Sequence, residues 1–124
     1  MTGVAVSFTR DSSLVRTIRL VAAAVARRAG RDEDFVEEVR LAVGEACGLL
    51  VSGAGSPDDR VSVRIQLDAT FTVWVSAPDG SIDPDPVGYD ALEPWALLRG
   101  LVDEFEVLRE DDFVVLRMFW PAAA

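Results

Sequence analysis

Two stretches near the middle of the chain alternate apolar and polar residues without a break. The apolar positions are Val61, Val63, Ile65 and Leu67 in the first, and Phe71, Val73 and Val75 in the second. Successive side chains of a strand point to opposite faces, so this period describes two strands with one buried face each. Asp68-Ala69 supplies the turn between them. Such a sheet has an apolar face that must be covered, and the sequence before it supplies two covers at helical period. Leu14, Ile18, Val21 and Val25 mark one stripe, started by the capping residues Asp11, Ser12 and Ser13 and ended at Gly30. Arg27 and Arg28 suit the negative end of that helix. The second stripe runs through Phe35 or Val36, Val39, Val43, Ala46 or Cys47, and Leu50, opened by Asp32, Glu33 and Asp34.

The remaining elements follow from the same rules. Val4 to Thr9 alternates as a first strand, and residues 52–59 are turn-forming throughout. Residues 77–90 form an acidic loop rich in Pro and Gly. A third helix is expected to start near Pro94, burying Trp95, Leu98, Val102 and Phe105. Strands at Glu106–Arg109 and Phe113–Trp120 close the chain around an acidic turn. The order β-α-α-β-β-α-β-β, over a single domain spanning 1–124, predicts an α/β two-layer sandwich. Its sheet is mixed and mainly antiparallel, with the helices on one face and the other face solvated or covered by a partner.

Composition removes several functions. The chain has no histidine and one cysteine, Cys47, which excludes a Cys-His nucleophile, a zinc site and an internal disulfide. Cys47 lies on the apolar side of its helix and reads as a small buried residue. A lone thiol suits a reducing compartment, and the N-terminal residues carry no basic leader, so a cytoplasmic location is expected. No apolar run approaches membrane-spanning length. Lysine is absent, and an Ala/Val/Arg-rich chain without it points to a high-GC bacterial gene. The net charge is -9. Residues 1–40 hold seven arginines against six acids, while the remaining 84 hold five against fifteen. Nucleic acid is excluded as a ligand, because phosphate binding needs basic clusters. Basic proteins are electrostatically favoured partners.

The second helix reads Glu37-Glu-Val-Arg-Leu-Ala-Val-Gly-Glu-Ala-Cys47. It resembles the helix that opens the ATP site in the anti-sigma factor/serine-protein-kinase branch of the GHKL (histidine-kinase-like) ATPases, where the segment runs Leu-Ala-Val-Ser-Glu-Ala-x-x-Asn-Ala. Leu101–Val107 and Val114–Met118 resemble that branch's closing helix and last strand, and the order of elements is the same. The resemblance implies a GHKL (Bergerat-type) fold, with Glu45 as the base acting on a phosphate acceptor. The Asn that helps hold Mg²⁺ is replaced by Leu49, which offers no oxygen to a hard cation. Glu45 is therefore vestigial, and its plain alternative is a solvated or structural glutamate.

The other two nucleotide motifs are also altered. Asp-x-Gly-x-Gly, whose Asp recognises adenine, is matched by Pro78-Asp-Gly-Ser-Ile82, so only Gly80 survives; a one-residue slip brings in Asp79 instead. An acidic surface turn at Asp79-Gly80 is the plain reading. Gly-x-Gly-Leu, whose amides cradle the phosphates, has become Leu92-Glu-Pro-Trp95. Pro94 has no amide hydrogen to give. Glu93, Asp83, Asp85 and Asp90 would face the phosphates, at about 1 kcal/mol per like-charge contact near 4 Å in water. Asp79, Asp83 and Asp85 have a faint calcium-loop spacing, but Pro84 stands where such a loop needs Gly and no Glu closes it.

The expectation is thus no cofactor, no metal, very weak or absent ATP binding, and no kinase activity. In related anti-sigma factors an arginine of the first helix contacts the sigma factor and its STAS-domain antagonist. That position falls on Arg19, with Arg16 one turn earlier, and a solvated helix face is the alternative for both. The leading expectation is an anti-sigma-factor-like regulator that binds a sigma factor, a STAS-type antagonist or both, with homodimerisation implied by the family. The alternatives are an active serine/threonine kinase using Glu45, and an accessory scaffold in a partner-switching pathway.

Overall fold

A computed structural model describes residues 2–51, 58–78 and 96–121. Strand β1 (Thr2–Thr9) leads through a 3₁₀ turn at Ser12–Leu14 into helix α1 (Val15–Arg27) and then helix α2 (Glu33–Val51). Strands β2 (Arg60–Leu67) and β3 (Phe71–Pro78) follow, then helix α3 (Ala96–Leu101) and strands β4 (Glu104–Glu110) and β5 (Phe113–Trp120). The 3₁₀ turn and helix α2 have the side-chain caps that the sequence offers, and α1 continues from the turn without a cap of its own. The Asp11 carboxylate accepts from the Ser13 amide at 2.9 Å, and the bonds from Ser13 hold its pKa below the usual carboxylate range. Asp32 accepts from the Phe35 amide at 2.9 Å, satisfying an otherwise orphaned donor of α2. After α1, Gly30 takes φ +72°, a left-handed conformation that favours glycine.

The sheet runs β1-β2-β3-β5-β4, and each of its pairings is antiparallel. Both long helices lie on one face, which makes the expected two-layer sandwich. That face buries Val61, Val63, Ile65, Phe71, Val73, Val75, Val114, Leu116, Met118 and Trp120. Fully burying one such side chain contributes roughly 1.5–3 kcal/mol. The helical side contributes Ile18 and Val25, together with Phe35, Val36, Val39, Val43, Cys47 and Leu50. Small residues take a larger share than the stripes suggested: Ala22, Ala26, Ala42 and Ala46 are fully buried, while Leu14 and Val21 are half-buried. Alanine at these points lets the helices approach each other and the sheet closely.

At one end of the sandwich Phe35, Phe71 and Trp120 meet edge to face, with ring centroids 5.5 to 6.2 Å apart. The Arg31 guanidinium sits 3.9 Å above the Phe35 ring and donates to the Pro121 carbonyl. Trp120 is therefore core.

The third helical stripe needs correction. Helix α3 stops at Leu101, Val102 closes on the Leu98 carbonyl, and β4 begins at Glu104 instead of Glu106. Phe105 thus belongs to a strand, opposite Met118, and packs half-buried against the core. A helical and a two-residue period both put Phe105 on the apolar side here, so spacing alone did not separate them. Gly100 weakens the helix at this point, and pairing with β5 captures the residues beyond it. At the β4–β5 hairpin Asp111 has φ 53°, a conformation that Asp tolerates better than most residues. Trp95 and Pro94, and the nucleotide-loop residues 79–93, lie outside the described residues. No described helix is long and apolar enough to cross a membrane.

Candidate functional site

The site residues singled out on α2 sit in its second half. Glu45 and Leu49 are four residues apart and so share one side of the helix. Both are half-buried, and Leu49 packs against the hydrophobic core. Their neighbours Ala46, Cys47 and Leu50 are fully buried and fix how the helix is turned. The side chain at position 49, the place of the expected cation ligand, is hydrocarbon only. Among the described residues no three Asp, Glu or Cys side chains gather as a metal site would require. Burial pushes the Cys47 thiol up to about 12, so it stays protonated and unreactive at neutral pH. Asp79, Gly80 and the segment matching the phosphate-cradling glycines lie outside the described residues.

The arginines of α1 come next to this site. Arg16 is exposed and Arg19 half-buried. The stem of Arg19 crosses α2 directly over Gly44, the residue before Glu45. A Cβ at position 44 would fall 2.4 Å from Arg19 Cδ and 2.9 Å from Cγ. Arg19 Nε is buried with no hydrogen-bond partner. Arg19 thus packs on α2 at the residue before Glu45, with no ion pair between the two. The residues from Ser12 to Arg31 include five arginines and no acid, and of these Arg27 pairs with Glu33 of α2. Leu20 on α1 is 60% exposed and Leu41 on α2 is 42% exposed, which adds apolar area to the same layer.

The face of the sheet opposite the helices carries a second set of features. The register places Ala5, Arg64, Trp74, Arg117 and Glu106 in one row across all five strands. The Arg64 guanidinium lies 4.2 Å from the Trp74 ring centre, and Arg117 donates to Glu106 at 2.7 Å. Beside this row an open depression of about 530 Å³ is floored by Ser7, Ser62 and Ser76 and walled by Trp74, Leu108 and Val115.

Sequence reasoning missed two of these features, Gly44 and Trp74. Trp74 had a usable signal, since alternation between buried Val73 and Val75 sends it to the opposite face. Gly44 had none by itself, because its partner belongs to another helix.

The model of the histidine kinase-like ATPase domain matches residues 8–120, from the first strand to the last. The chain belongs to the histidine kinase-like ATPase family. In its fold this family member is similar to the solved structure of the RsbU and RsbW domains of Rv1364c from Mycobacterium tuberculosis, with a TM-score of 0.78 at 13% identity. The superposition covers 98% of this chain and 33% of that one, so the chain spans about a third of that protein's length. No curated protein gives a significant sequence match.

Proposed function

We propose that this histidine kinase-like ATPase domain is an anti-sigma-factor-like regulator that controls transcription by binding proteins and has lost its nucleotide chemistry. The observation that carries the reading is Leu49. One turn beyond Glu45, where the resemblance expects a magnesium ligand, a leucine packs against the core, and a hydrocarbon side chain cannot coordinate a hard cation. The resemblance of the second helix to the anti-sigma factor/serine-protein-kinase branch supports the choice of partners, as does the likeness to a structure that contains an RsbW domain. A fold by itself does not set a function, so the partners rest on the arginines of α1.

On this reading Arg16 and Arg19 face a sigma factor, a STAS-domain antagonist or both, and regulation works by exchange between them. Two-copy association and action in the cytoplasm belong to the same proposal.

Two calorimetric titrations test it. Mg-ATP should give no binding heat up to about millimolar concentration, a threshold corresponding to roughly -4 kcal/mol. A purified sigma factor or STAS-domain antagonist should bind, and Arg19→Ala should weaken that binding with no change in melting temperature. Millimolar or tighter Mg-ATP binding, with phosphate transfer to the antagonist, would replace this reading with that of an active kinase working through Glu45.

A further inference from the structure

We infer that Gly44 is a positioning residue for the partner-binding surface: it is a notch on α2 that holds Arg19 in its working orientation. This rests on the reading that Arg19 meets a protein partner. The geometry on which it stands is independent of that reading. Arg19 Cγ and Cδ occupy the space that any side chain at 44 would fill, at 2.9 and 2.4 Å from its Cβ. Contacts that short do not persist, so every residue except glycine at 44 turns Arg19 out of its present path. Gly48, one turn along the same helix, has nothing within 4 Å of the corresponding point. The two glycines differ in what lies above them, and only the first is coupled to α1.

The state of the arginine gives the notch a purpose. Its Nε is buried and unpartnered, an arrangement that folding disfavours and that a turn of the side chain into water would relieve. Among the described residues no acid pairs with Arg19, and α1 itself carries none. Packing of the stem over Gly44 therefore holds the guanidinium in a place its own hydrogen bonding does not favour. A fixed guanidinium loses less side-chain freedom when a carboxylate arrives, which raises affinity without a new contact. The partner group it suits is an acidic side chain presented to the outer side of the α1–α2 pair.

Substitution by alanine separates this role from folding. Alanine is the better helix former, and the atoms it displaces belong to a flexible side chain that solvent can receive. Gly44→Ala should therefore keep or raise the melting temperature, as Gly48→Ala should, while releasing Arg19. In ¹⁵N spectra the Arg19 Nε–Hε proton should exchange with water more slowly than that of Arg16 in the wild type, and at a similar rate in Gly44→Ala.

Calorimetric titration with a purified STAS-domain antagonist, and separately with a purified sigma factor, reads the consequence. Arg19→Ala should weaken binding by roughly tenfold. Gly44→Ala should come within about threefold of that loss, and the double variant should be no weaker than Arg19→Ala alone.

If Arg19→Ala weakens binding and Gly44→Ala does not, or if the Hε proton stays protected in Gly44→Ala, the inference is overturned while the reading of Arg19 survives. If Arg19→Ala binds as the wild type does, or if neither titrant binds the wild type, the reading of the preceding section fails and takes this one with it. A melting temperature lowered in Gly44→Ala and not recovered in the double variant would make Gly44 a packing residue only.

Discussion

Replacing Phe71 by alanine tests whether the two layers are held together at the aromatic end of the sandwich. The Phe71 ring is 2% exposed and stands edge-on to Phe35 of α2 at 5.5 Å and to Trp120 of β5 at 5.8 Å. Truncating a buried Phe to Ala costs about 3–5 kcal/mol, the larger values belonging to sites that cannot collapse. Here the two neighbouring rings are anchored on separate elements, and Phe35 is held further by Arg31 above it. Neither can follow into the gap, so the expected loss is about 4 kcal/mol.

A chain of 124 residues has roughly 6–19 kcal/mol of stability in total, so the variant folds but with much of its margin gone. With an unfolding entropy of about 2.1 cal/mol/K per residue, the melting temperature should fall by roughly 15 °C. Urea unfolding followed by far-ultraviolet circular dichroism measures the change, with the denaturant slope expected to match the wild type. Glu45 lies ten residues beyond Phe35, about 15 Å along the helix, so partner affinity of the folded variant should be unaffected. A loss below about 1 kcal/mol at unchanged slope would refute the view that these rings form a tightly packed joint.

Two further outcomes follow from the ionisable groups. Burial first, and then the charge of Asp103, hold the Glu38 carboxyl above its usual 4.5, although Trp120 and Arg31 act in the other direction. The Trp120 Nε1–H lies near that carboxylate without making a hydrogen bond of ordinary geometry. A carboxyl that is harder to ionise in the folded state costs stability once it is charged. Wild-type stability from this group should therefore fall as pH rises from 4.5 through the raised value. Glu38→Gln should remove that slope and melt no lower than the wild type at neutral pH, and thermal scans across the range decide it. Cys47, with its thiol raised to about 12, should resist iodoacetamide at neutral pH in the native protein and react at once in denaturant. Labelling of the folded protein at the unfolded rate would show that α2 opens readily.

The sequence by itself determined the layers. Strict alternation gives strands with one wet face, and three-to-four spacing gives two helices to cover the other, because side-chain direction along one element depends only on that element's own period. It also put a hydrocarbon side chain at position 49, since leucine has no side-chain oxygen in any fold. Cys47 was legible as core for the same local reason.

The boundary between α3 and β4 was not legible, because helical and strand periods both place Phe105 on the apolar side and only pairing with β5 separates them. The coupling of Arg19 to Gly44 and the row from Ala5 through Trp74 to Glu106 were decided by the tertiary structure alone. Each joins residues whose spacing along the chain carries no signal, and each depends on how closely two separately formed elements approach.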